Sequence, residues 1–309
     1  MRELSAFKSL FFSLIYDNGN FNIFDTQIVR KLCDIFRGSD EVKIINRVHD
    51  EFSKFNVQHL DIPESVKRVF GQSVDAFVKF EVAKTHARRV SFCEQGNGYE
   101  CESSDLCFVI DYVLYMPTKL LSSRSVSFVQ LKLGEFGKPW RLSNNQLYFM
   151  RYWPPFRYQN KPYDLDIFRA YLDLGSFYLF IYKDKTLTDA ITRQARKPYR
   201  VNGYALSTPM IEYALRHHIL LRPSGNYEHV SDSVLNILRN NRGCAFFLWK
   251  LLFQDLGLYS VDAENFIKCL YPSLFKNYPP EDGYEVEERP SVCLRVEVVL
   301  KMLEQKILS

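Results

Sequence analysis

The 309-residue chain contains no C-x-x-C pair, no Gly-rich phosphate loop, no G-x-S-x-G elbow and no H-E-x-x-H motif. The last three absences argue against P-loop, α/β-hydrolase and zincin chemistry. The first goes with an odd cysteine count: Cys33, Cys93, Cys101, Cys107, Cys244, Cys269 and Cys293. A zinc site or disulfide framework is not expected from such a set, which suits a reducing compartment. A strong charge of one sign is also missing. Lys+Arg 40 against Asp+Glu 36 leaves +4, so nucleic-acid contact has to come from a local basic patch. The longest is Arg193, Arg196, Lys197 and Arg200 in RQARKPYR. No run approaches the ~20 apolar residues that span a bilayer. Residues 4–16, LSAFKSLFFSLIY, are short and broken by Lys8. No signal peptide and no membrane contact are expected, and a cytoplasmic location is. His217 and His218 lie in an apolar run, YALRHHILL, without a partner at ligand spacing, and read as packing residues.

What is present is an ordinary globular composition, 47% hydrophobic and 25% charged, with Phe 25 and Tyr 19 pointing to an aromatic core. The length fits about two domains. Helical spacing covers the first 70 residues: Leu4 to Leu14, then a helix capped by Asp25 and running to Phe36, then one capped by Ser39, with Asp61 and Pro63 opening another. A longer helix is expected over Val74–Arg89, with Glu81 on the edge of its apolar stripe. From Arg89 the texture turns β-like: Val90–Cys93, a turn at Gly96 and Gly98, DLCFVIDYVLY from Asp105, a loop over Pro117–Ser125, and VSFVQLKL over Val126–Leu133. A helix over Asn144–Tyr152 and a buried strand at Phe177–Tyr182 follow. Beyond Arg200 helices are expected at Leu235–Leu238, Ala245–Leu256 and Leu294–Leu308, with an acidic, Pro-containing loop over Tyr278–Pro290.

Side chains alternate along a strand. In VSFVQLKL, Gln130 and Lys132 therefore project from one face while Val129, Leu131 and Leu133 occupy the other. In DLCFVIDYVLY, Asp105, Cys107, Val109 and Asp111 share a face. Paired as a hairpin, the two strands bring a carboxylate, an amide and an ammonium together. Such a group suits metal-assisted phosphodiester hydrolysis. Mg²⁺ takes oxygen ligands and keeps several waters. An Asp carboxylate, the Gln130 oxygen and the Leu131 carbonyl offer part of that shell, and Lys132 offers a point charge for the attacking water or the transition state. Either Asp105 or Asp111 can be the metal carboxylate, with Glu102 and Glu100 as added ligands.

The string D…Q-x-K on consecutive strands after a Glu-bearing helix resembles the PD-(D/E)XK, or restriction-endonuclease-like, nuclease superfamily. The resemblance covers about residues 74–183. It implies an α/β fold with an αβββαβ core and a mixed central sheet. It matches Asp105 in SSDLCFVID to the metal aspartate, and Gln130 and Lys132 in VQLKL to the third-strand motif. It also matches Glu81 to an acid on the first helix and Gln146 to a glutamine on the second. Ser103 and Ser104 stand where a proline is usual, and Gln130 stands where Glu is common. The expected division is a helical region at 1–73, the nuclease-like core at 74–200 and a mainly helical domain at 201–309. The implied function is a Mg²⁺- or Mn²⁺-dependent endonuclease on DNA, with RNA left open, in restriction, defence against foreign DNA or mobile-element processing. Catalytic residues are Asp105, Gln130, Lys132 and Glu81. Arg141, Gln146, Arg193, Arg196, Lys197 and Arg200 are the nucleic-acid contacts. A homodimer or a partner protein fits an enzyme that cuts both strands. Two other readings stand beside it: an inactive nuclease-fold module for nucleic-acid binding or assembly, and a protein-interaction domain.

Overall fold

The computed structural model describes residues 2–38, 40–70, 73–86, 89–135, 138–183, 203–207, 227–230, 244–275 and 290–302. The basic patch Arg193–Arg200, His217, His218, Leu235–Leu238 and most of the acidic loop lie outside them.

The expected N-terminal helices are present, with different caps. Helix α1 spans Arg2–Tyr16 and α2 spans Asn18–Phe24. Asp17, not Asp25, caps α2, accepting from the Gly19 amide at 3.3 Å. Asp25 lies inside the continuing helix, where a π-helical turn over Asp25–Arg30 leads to α3, Lys31–Ile35. Asp40 caps α4, Glu41–Phe52, by accepting from the Lys43 amide at 3.0 Å. Helix α5, Glu64–Phe70, follows Pro63.

The central element is a seven-stranded mixed sheet. Its strands are β1 (Gln58–His59), β2 (Val74–His86), β5 (Leu106–Met116), β6 (Lys119–Gly134), β10 (Ser176–Tyr182), β11 (Gly203–Ser207) and β13 (Pro290–Met302), in the spatial order β1-β2-β13-β5-β6-β10-β11. β5 and β6 form an antiparallel hairpin, β10 runs parallel to β6, and β13 runs parallel to β5 and antiparallel to β2. A smaller sheet joins β3 (Arg89–Glu94), β4 (Asn97–Glu102), β8 (Phe156–Tyr158) and β9 (Lys161–Tyr163) in the order β4-β3-β8-β9. β7 (Trp140–Ser143) pairs with β12 (Tyr227–Val230).

Three expectations are corrected. Val74–His86 is a strand, not a helix. Ala76, Val78 and Phe80 alternate into the core, and the β-branched and aromatic content favours an extended chain once β13 pairs along its length. Pro290–Met302 is likewise a strand where a closing helix was expected from Leu294. It is buried on both faces at most positions, and a near-continuous apolar run carries no periodicity to separate strand from helix. The Pro117–Ser125 loop shrinks to a tight turn, because Met116 already pairs with Lys119 and the strand continues through Ser122–Ser125.

Two cores flank the sheet. One packs α1–α4 and α9 (Cys244–Leu252) against Leu106, Phe108, Ile110, Val129 and Leu131. The other packs α6 (Asn144–Tyr152), α7 (Asp166–Ala170), α10 (Val261–Leu270) and the small sheet against Cys107, Val109, Phe128, Tyr178 and Phe180. A short helix α8, Leu172–Gly175, precedes β10. Packing thus crosses the boundaries expected near residues 73 and 200: N-terminal helices, sheet and α9 share one core. Among the described residues no helix is long and apolar enough to cross a membrane.

Candidate functional site

Two polar clusters lie on the same face of β5. The first sits where β5 begins. The Asp105 amide donates to the Val129 carbonyl at 3.1 Å, and its carbonyl accepts from the Val292 amide at 3.0 Å, so β6 and β13 hold the backbone from both sides. The carboxylate reaches back to β6. Its Oδ2 accepts from the Leu131 amide at 2.7 Å and from Gln130 Nε2. The Oδ1 atom takes no hydrogen bond among the described residues. On a strand the N–H and C=O of one residue leave by the same edge, so the Leu131 carbonyl also faces this side.

Gln130 is fully buried, and its Oε1 accepts from Gln146 Nε2 of α6 at 2.5 Å. Gln146 Nε2 also donates to the Glu102 carbonyl at 3.3 Å. A chain of amides therefore runs from α6 through β6 to Asp105. Lys132, half-buried two residues along β6, joins no salt bridge among the described residues, and its charge is felt at Asp105. Burial pushes the Asp105 carboxyl up to about 7. Lys132 opposes that shift, Glu41 and Glu102 add to it, and the Leu131 amide opposes it. Glu41 is the residue that sequence reasoning missed. It opens α4, and its Oε1 accepts from the Leu133 amide at 3.3 Å. α4 is separated from β2 by β1 and α5, so nothing in the local sequence ties Glu41 to the start of β5.

The second cluster lies about 20 Å further along β5 at ~3.3 Å per residue. Asp111 is held by two guanidiniums. Arg124 Nε and Nη2 donate to it at 2.6 and 3.0 Å, and Arg295 Nε at 2.7 Å. Arg295 also pairs with Glu81 at 2.7 Å and Glu297 at 2.6 Å, and Arg124 with Glu264 at 3.0 Å. Lys79 closes on Glu81 at 2.5 Å. The Phe275 ring lies 5.7–5.9 Å from the charges of Arg124, Lys268 and Arg295.

The structure therefore brings Asp105, Gln130, Leu131, Lys132, Gln146 and Glu102 together. It places Glu81 and Asp111 elsewhere, both bound by arginine. Glu81 sits on strand β2, in register with Arg295 of β13, which is why it is remote from the β5 start. Arg141 is exposed on β7, just before α6. Among the described residues no three His, Cys, Asp or Glu side chains converge at metal-binding distance. No family model, no curated protein and no solved structure matches the chain.

Proposed function

We propose that the chain is a Mg²⁺- or Mn²⁺-dependent endonuclease acting on DNA, on a core of the restriction-endonuclease kind. The observation that carries this reading is the meeting of Asp105, Gln130, Lys132 and Gln146 at one end of the sheet, with the lysine left out of any described salt bridge. The order α4, β2, β5, β6, α6, β10 supports it: helix, three strands, helix, strand, once β1 with α5, the β3–β4 hairpin, β7, and the stretch from β8 to α8 are taken as insertions. α4 then stands as the first helix, and Glu41 takes the part expected of Glu81.

The donor set fits a hard divalent cation. Asp105, Glu41 and Glu102 against Lys132 leave two negative charges when all are ionised, around a carboxyl that burial already disfavours as an anion. The oxygens on offer are an Asp carboxylate and a main-chain carbonyl, which suit Mg²⁺ better than a set of His or Cys, while the Gln130 oxygen is taken by Gln146. Such a cation lowers the pKa of water and neutralises charge on a phosphate. Asp105 and the Leu131 carbonyl would hold it, Lys132 would supply a point charge for the phosphate, and Gln146 orients Gln130. The reading extends to restriction, defence against foreign DNA or mobile-element processing, with a second copy or a partner protein for double-strand cleavage.

Asp105→Ala and Lys132→Ala each abolish metal-dependent cleavage of a panel of single- and double-stranded substrates while the far-ultraviolet circular dichroism stays unchanged. Cleavage that survives both changes overturns the assignment. One observation favours an inactive nucleic-acid-binding module instead: both ends of the Gln130 amide are engaged within the protein. That reading is upheld by salt-sensitive DNA binding with no cleavage in any divalent metal.

A further inference from the structure

Asp105, Gln130 and Tyr178 form one row across three neighbouring strands. Asp105 sits one residue before the Leu106–Val129 pair, opposite Gln130, and Gln130 is in register with Tyr178 of β10. All three lie on the sheet face covered by α6. Tyr178 is completely buried, yet its hydroxyl has no hydrogen-bond partner among the described residues. That is an odd residue for this place. On the same face of this strand, SFYLFIY, Phe180 fills the same core, and a phenylalanine at 178 would pack the ring without burying a bare hydroxyl. The phenol is pushed well above its ordinary range by burial, then by charge at Cys101 and Asp105, so its oxygen lies within electrostatic reach of the aspartate. The Ser104 hydroxyl beside Asp105 is likewise buried and unpartnered among the described residues.

Resting on the nuclease reading above, we propose that Tyr178 is a positioning residue of the Asp105 cluster, whose hydroxyl is hydrogen-bonded only when a divalent cation is bound there. Mg²⁺ keeps part of its hydration shell in protein sites, and that water is the partner the phenol lacks. Groups standing behind metal ligands fix their orientation and change affinity without touching the ion.

The test compares the full-length wild type with Tyr178→Phe by calorimetric titration with Mg²⁺ and Mn²⁺ and by thermal unfolding with and without the metal. Without metal, Tyr178→Phe melts at or above the wild-type temperature, because no hydrogen bond is lost. Its Mg²⁺ affinity falls about 10-fold, and its Mg²⁺-induced rise in melting temperature shrinks accordingly. A purely structural tyrosine gives the opposite pattern. A metal-free melting temperature several degrees lower, or an unchanged Mg²⁺ affinity, overturns the role of Tyr178 while leaving the nuclease reading intact. If the wild type binds neither Mg²⁺ nor Mn²⁺, the nuclease reading falls and the Tyr178 proposal with it.

Discussion

Asp105 and Asp111 sit six residues apart on one face of one strand, and both are almost wholly buried. Their surroundings differ in kind. Asp111 meets two guanidiniums in close geometry and accepts three hydrogen bonds from them. Asp105 has amide donors, a lysine acting through space, and two further carboxylates nearby. The first arrangement neutralises its charge inside the protein. The second leaves negative charge to be met from outside. Strand alternation gives both residues the same direction, so burial and alternation alone do not separate a carboxylate neutralised within the protein from one that is not. The counter-charges do.

Breaking the comparison at its structural end has the largest effect. Asp111→Asn leaves Arg124 and Arg295 buried without their anion, and the expected loss is about 3–5 kcal/mol in urea unfolding. A variant of near-wild-type stability refutes the structural role of this aspartate. At the other end the sign reverses. Burial raises the Asp105 carboxyl to about 7 from an ordinary 3.8, so the native state holds a proton that the unfolded chain has released between those values. Folding stability from this group is therefore lost as pH climbs from about 4 to about 7 and stays lost above. Asp105→Asn removes that loss. Without metal it is more stable than wild type at pH 8, on the order of 4 kcal/mol, and the gain vanishes below about pH 4. Urea curves that superimpose at both pH values contradict this account. The smallest effect belongs to Glu81→Gln. Glu81 is half-buried and Arg295 keeps Asp111 and Glu297, so about 1 kcal/mol or less is expected, with metal-dependent cleavage unchanged. Cleavage lost in this variant returns Glu81 to the active site.

The legible part of the site is the part written locally. Gln130 and Lys132 share a strand by spacing alone, and the β5–β6 hairpin follows from two β-rich runs around Pro117. The same holds for α6 and β10. What could not be read is what depends on long-range pairing. The stretch 74–86 has apolar residues at spacings that suit a helix and, equally, an alternating strand. Only its thirteen-residue pairing with β13 decides between them. Asp111 and Glu81 read as free carboxylates until Arg295, some 200 positions away, is brought between them. Glu41 is illegible for the matching reason: its link to the site is a contact with the Leu133 amide 92 residues along the chain.

The strand that lies between β2 and β5 comes from Pro290–Met302, later in the chain than every other described element. During synthesis on the ribosome, β2 and β5 therefore emerge some 170 residues or more before their shared neighbour. Each carries an open row of backbone donors and acceptors through that interval, the kind of edge that invites pairing with another chain. The Asp105 carbonyl waits for Val292 over the same interval. Completion of the candidate site is thus tied to closure of the sheet by its last described strand.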